Sequence, residues 1–194
     1  NWCTMTRNVV YFVRNNHICS NLGAGLLGYL LETRTGESYE WLLQKQIFQP
    51  YMMTSSTTLR GSTLESLVPG RNSSGKKVKN WDLGAMKAAG AVLSTAHDLS
   101  SFALANFSPD TVLAFQRQKT FTIDQSLDIG LGWFIRKYDN GEQYYWHNGG
   151  TGGYTSSMAV DVNSKNSVII LTNVGGKRVL DKTCFKLMEA IRNN

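Results

Sequence analysis

The run His147-Asn148-Gly149-Gly150-Thr151, continued by Gly152 and Gly153, holds the residue types that bind and polarise an acyl group. Four glycines in five positions let a ligand approach the main chain, whose N–H groups can then stabilise an oxyanion. A second stretch, "NHICSNLGAGLLG" at 16–28, brings Cys19 and Asn21 to the entry of a helix. A thiol is a good nucleophile, and a nearby imidazole can lower its pKa. Cys19 reads first as a bland buried or half-exposed cysteine. A metal site is not expected, because His17-x-Cys19 lacks a usual zinc spacing and no second pair accompanies it. His97 falls in a capped helix and reads as a surface residue. Trp133, Trp146 and Tyr154 could line a pocket or simply pack.

Those groups need elements to hold them. Ser20 or Asn21 caps a helix through Leu22, Leu26, Leu27, Leu30 and Leu31, closed by Gly36. Its glycines Gly23, Gly25 and Gly28 make sense where another backbone packs close. A second helix from about Ser38 puts Tyr39, Leu42, Leu43 and Ile47 on one face and stops at Pro50. Residues 54–83 form a long polar connection of the kind that covers a site or another surface. Residues 94–107 read as a helix with Thr95 and Asp98 placed like a capping box. Residues 108–118 read as another, capped by Ser108 with Pro109 in its first turn. From 128, "DNG" and "NSKN" turns separate strand-like runs, giving three or four antiparallel strands. The last, Val168 to Leu171, is apolar on both sides and should be central. A final helix, about 178–192, carries Leu180, Cys184, Leu187, Met188 and Ile191. Helices, a meander and a helix predict an α+β fold, an antiparallel sheet flanked by helices. With no repeat and no linker, one domain is expected: an atypical segment at 1–16 containing the strand-like "VVYFV", a mainly helical part at 17–127, and strands plus a helix at 128–194.

Composition sets the outer limits. The chain has 194 residues, 42% hydrophobic and 18% charged, as a soluble globular protein would. No apolar run reaches the roughly 20 residues that span a bilayer. The net charge is +6, but basic residues are scattered apart from Lys76, Lys77 and Lys79, and no nucleic-acid motif joins them. Three cysteines imply no disulfide framework. The chain opens on Asn1 rather than Met, which reads as a processed chain or a piece of a longer one.

Taken together, Cys19-Ser20-Asn21 with its helix and His147-Asn148-Gly149 with its two strands resemble the class C β-lactamase-like serine hydrolases, including related penicillin-binding proteins and esterases. "NWDLGAMKAAGAVLSTAHDLSSFALANF" is similar to the segment between them, and the likeness runs over residues 17 to 192. The family carries Ser-x-x-Lys, then Tyr-x-Asn, then Lys-Thr-Gly or His-Thr-Gly. The resemblance implies a partial serine β-lactamase/transpeptidase-like fold and a parent reaction of acyl transfer from a β-lactam, a D-alanyl peptide or an ester. It implies Asn21 and His147 as catalytic-site residues, Gly150 as an oxyanion donor, Asn148, Gly149 and Thr151 as substrate neighbours, and no cofactor.

Two departures limit it. Cys19 stands where the family has tyrosine. Ser-x-x-Lys occurs only as Ser73 to Lys76 and Ser74 to Lys77, in a polar loop without an apolar helical face. The expectation is a truncated relative, inactive or weakly active. The alternatives are a non-catalytic ligand-binding or assembly protein, and a cysteine-dependent esterase using Cys19 and His147. Uncovered edges and apolar faces would favour a homo-oligomer, possibly with exchanged elements. A periplasmic or secreted location follows if the chain follows its family.

Overall fold

The computed structural model describes residues 20–63, 66–138, 140–176 and 179–192. Cys3, His17, Cys19 and the strand expected at 9–13 lie outside them. Among the described residues a six-stranded antiparallel sheet runs in simple meander order, β1 (Phe121–Asp124), β2 (Leu127–Ile129), β3 (Phe134–Lys137), β4 (Gln143–Gly150), β5 (Thr155–Asp161) and β6 (Asn166–Thr172). The α+β expectation holds, but the sheet is larger than the sequence suggested. The short "FTID" and "LDI" strands were missed because three or four residues carry too little alternation to read. Contrary to expectation, β6 lies at the sheet's edge among the described residues, not its centre. Its two apolar sides reflect cover on both faces by helices, a property of layering rather than of position across the sheet.

Helices α3 (Ala96–Asn106) and α5 (Val179–Arg192) supply those layers. On β5, Ala159 and Val160 are both fully buried and point to opposite faces. Ala159 joins Tyr144, Val168, Cys184 and Met188 under α5, while Val160 packs with Ala103 of α3 and with Trp133. Trp133 and Trp146 are therefore packing residues. The Trp146 indole N–H donates to Ser157 Oγ at 3.0 Å. On α5 the sequence listed too wide a face: Cys184 and Met188 are buried, but Leu187 and Ile191 stay exposed.

Helix α1 (Asn21–Thr35) corrects the leucine reading. Its buried positions are Gly25 and Gly28, and Leu22, Leu26, Leu27, Leu30 and Leu31 are exposed. A Cβ on Gly28 would lie 2.4 Å from Ala88 Cβ, and one on Gly25 2.7 Å from Met86 Sδ. The glycines thus seat the helix on the 3₁₀ segment Gly84–Ala89, as backbone-to-backbone packing requires. The exposed leucines form the surface that the expected self-association would cover. Ser20 caps the helix by accepting from the Gly23 N–H, and Gly36 ends it in the left-handed region.

The second expected helix is α2 (Tyr39–Leu43), which passes into a π turn over Gln44–Phe48 and buries Phe48. Helix α4 (Thr111–Gln116) is capped by Asp110, which accepts from the Val112 and Leu113 N–H groups, not by Ser108. Asp110 wins because a carboxylate one residue before the first turn reaches two free donors.

Thr95 caps α3 as expected, accepting from the Asp98 N–H at 3.1 Å. Asp98 does not return the bond. Its buried carboxylate accepts from the Ser55 N–H at 2.8 Å and the Ser56 hydroxyl at 2.7 Å, pinning the start of the 54–83 connection to α3. Asp98→Ala removes both bonds, leaving the Ser55 N–H without its acceptor and the Ser56 hydroxyl with Ser94 alone. We expect a loss of about 2–3 kcal/mol, measured by urea denaturation.

Candidate functional site

Strand β4 outruns β3. The β3–β4 register ends at Phe134 opposite Trp146, whereas β4 continues beside β5 to Gly150 opposite Thr155. In an antiparallel pair, alternate residues direct both main-chain groups to the same neighbour. The Tyr138 N–H bonds the Glu142 carbonyl, so even-numbered residues of β4 face β3. The Thr151 N–H bonds the Tyr154 carbonyl, so odd-numbered ones face β5. Asn148 and Gly150 consequently turn their N–H and C=O groups to the open edge beyond β3. His147 to Gly150 are all exposed, and a Cβ on Gly150 would meet nothing within 4 Å.

The side chains of this run diverge. His147 shares the face of Tyr145, towards the α3 layer, and stacks on Phe134 with ring centroids 5.8 Å apart. Its crowded surroundings lower its pKa by desolvation, against raising contributions from the Asn148 main chain and Asp181. The ring keeps open surface, so it stays part-solvated, with the neutral imidazole favoured at pH 7. We expect a titration midpoint below 6.5, followed by the imidazole proton resonance. Between that midpoint and 6.5 the unfolded chain holds the extra proton, so stability rises with pH there and falls on acidification. A midpoint at or above 6.5 contradicts this.

Asn148 points to the other face and donates from its side-chain amide to Asp181 of α5 at 2.8 Å. It anchors the strand rather than facing the imidazole's side. Gly149 sits against β5, where a Cβ would be 2.9 Å from Ser156 Oγ. Thr151 opens the turn. Thus His147, Asn148, Gly149, Gly150 and Thr151 are contiguous on one strand end. Asn21 is exposed at the first position of α1, and among the described residues no hydrogen bond joins it to this strand end. His97 has its side chain 85% exposed, as expected of a surface residue.

A feature invisible in the sequence holds the turn 151–154. Residues 68–81 strap across it. The Tyr154 hydroxyl donates to the Val68 carbonyl at 2.7 Å. The Arg71 N–H reaches the Asn173 carbonyl at 2.8 Å, and the Gly175 N–H the Arg71 carbonyl at 2.8 Å. Gly70 and Gly153 meet backbone to backbone, and Gly152 lies under Trp81. The glycines after Pro69 and Thr151 were the available signal, but nothing paired them. The Ser73 to Lys77 stretch is the exposed tip of this strap: Asn72 Oδ1 accepts from Ser74 and Lys76, and Gly75 has φ 82°.

The family model for beta-lactamases matches residues 6–191. The chain belongs to that family. The structure of a class C beta-lactamase superposes with a TM-score of 0.78 at 19% identity, covering 89% of this chain and 57% of that one. A beta-lactamase/D-alanine carboxypeptidase from Pseudomonas syringae gives 0.70 at 18% identity, covering 80% and 54%. In sequence, "Probable hydrolase M10" of a Phoma species is 28% identical over 123 residues, 60% of this chain and 19% of that protein. This beta-lactamase-family chain thus spans under two thirds of the length of each protein it is matched with here. The superpositions bear on fold: the sheet and its flanking helices are those of the beta-lactamase family.

Proposed function

We propose that this beta-lactamase-family chain holds an acyl ligand along the open edge of β4, as the binding half of an acyl-transfer site. The ligand class is a β-lactam, a D-alanyl peptide or an ester. The observation that carries this reading is the overrun of β4 past β3, which frees the Gly150 N–H and C=O beside His147. A carbonyl lying along that edge would meet a preorganised donor at Gly150. The favoured neutral state of His147 suits it to hydrogen bonding or proton transfer more than to holding a carboxylate as a fixed cation.

Turnover is a separate matter. The sequence offers Ser-x-x-Lys only within the strap's exposed turn, and a family phenol is replaced by Cys19. Loss of a serine nucleophile in comparable enzymes leaves about 10³–10⁴-fold catalysis over water. We therefore infer little or no hydrolysis by this chain. The test is hydrolysis of nitrocefin and p-nitrophenyl esters by wild type and Cys19→Ala, with binding of benzylpenicillin followed by NMR. Binding without turnover is expected, unchanged by Cys19→Ala. Turnover abolished by that substitution would replace this reading with a thiol-dependent esterase.

A further inference from the structure

A polar cavity lies away from the His147 strand end. It has a volume of about 410 Å³ and is lined by Arg136 and Tyr138 of β3 and its turn, Tyr144 of β4, and Glu189 and Arg192 of α5, among others. These β3 and β4 residues occupy even positions, so the cavity opens on the α5 face, opposite His147. It also sits by the hairpin turn, at the far end of β4 from Gly150.

Two polar groups there have no hydrogen-bond partner among the described residues. The Tyr144 side chain is 1% exposed, and its hydroxyl is buried with no hydrogen bond. Such a group carries its full desolvation cost unless a ligand or water satisfies it. Half-buried Arg136 stands directly opposite Tyr144 in the β3–β4 register. Its guanidinium lies 4.5 Å over the Phe185 ring and makes no hydrogen bond or ion pair with a described residue. The other charges are otherwise engaged or solvated. Arg192 pairs with Glu142 and lies over the Tyr138 ring, Lys137 pairs with Asp128, and Glu189 is exposed.

We propose that this cavity binds a small organic monocarboxylate, its oxygens between the Arg136 guanidinium and the Tyr144 hydroxyl and its apolar tail against the ring of Tyr138. A guanidinium offers a planar fork matched to a carboxylate. The phenol stays protonated, because burial holds its pKa well above the ordinary tyrosine value, so it donates. The volume falls in the range of small-molecule sites. Glu189 faces the same space and should oppose an anion, which gives the proposal a sign to test.

The experiment is calorimetric titration at pH 7 with phenylacetate, and with phenylacetamide as its uncharged counterpart. Phenylacetate should bind at least tenfold more tightly. Arg136→Gln should weaken it about tenfold or more, and Tyr144→Phe about three- to tenfold. Tyr144→Phe should melt no lower than wild type, since it removes an unsatisfied hydroxyl. Glu189→Gln, on an exposed side chain, should tighten binding and decides the matter if Arg136→Gln fails to fold. Gly150→Pro should leave phenylacetate binding intact. Equal binding of the amide, indifference to Glu189→Gln, loss with Gly150→Pro, or no binding at about 10 mM each overturns the proposal.

Discussion

Gly153→Ala should lower stability by about 3 kcal/mol and loosen the candidate site with it, the upper end of what one inserted methyl costs in a packed interior. Its Cβ would fall 2.6 Å from Gly70 Cα, 2.9 Å from Gly70 C and 2.9 Å from Val78 Cγ2. Two of those atoms are backbone, so no rotamer change relieves the clash. Either the strap 68–81 lifts or the turn 151–154 shifts. Lifting the strap strains the bonds of Arg71 to Asn173 and Gly175 and of Tyr154 to Val68. Shifting the turn moves Thr151 and Gly150, the end of the open edge. Gly153 is outside the left-handed region, so the cost is steric rather than torsional. Gly150→Ala makes the control: its Cβ has open space, and stability should hold within about 0.5 kcal/mol. Urea denaturation of the two variants, with proteolysis sites mapped near 68–81, checks both. Equal stability of Gly153→Ala and wild type would show that the strap is not seated on the turn.

The strap also marks the boundary of what sequence could reveal. Local rules performed well where the deciding contacts are local. Ser20, one of the two expected caps, and Thr95 cap their helices, since a cap is settled within three or four residues. The hairpin turn around Gly141 formed for the same reason, with the Gly141 N–H bonded to Tyr138. Two larger failures came where partners lie far along the chain. The α1 leucines look like a core face, yet the close approach of residues 86 and 88 to Gly25 and Gly28 chose the glycine side. Val168 to Leu171 reads as central because the α5 and α3 layers cover Val168 and Ile170 on one face and Ile169 on the other, which hides its place at the sheet's edge, while Leu171 stays exposed.

The site was legible in its residue types and opaque in its geometry. The run from His147 to Thr151 stood out through its glycines. That Asn148 turns away to Asp181, 33 residues on, leaves no mark in the local pattern. Nor does the decisive fact, that β3 stops at Phe134 while β4 goes on. A strand's end depends on what the preceding chain does: residues 130–133 leave the sheet, with the Gly130 N–H bonded to the Trp133 carbonyl and the Leu131 N–H to the Gln116 carbonyl.

That overrun yields the sharpest functional expectation. Gly150→Pro should abolish binding of benzylpenicillin while leaving the fold in place. Proline deletes one main-chain donor and is otherwise tolerated in a sheet only where its N–H would face outwards. At Gly150 the N–H faces the open edge, so the β4–β5 ladder loses no bond, and the free space around this residue accommodates the ring. At Gly149 the same substitution would delete a donor aimed at β5 opposite Ser156 and should destabilise the sheet. The pair therefore separates loss of a ligand contact from loss of structure. A single main-chain donor to a carbonyl is worth about 1–3 kcal/mol, and removing it also aims a proline ring at the ligand, so a fall of a hundredfold or more is expected. Amide-proton chemical shifts of β5 should be unchanged in Gly150→Pro, and penicillin-induced shifts at residues 147–151 should vanish. If penicillin still perturbs those residues with wild-type affinity, the acyl group is not held by the edge of β4.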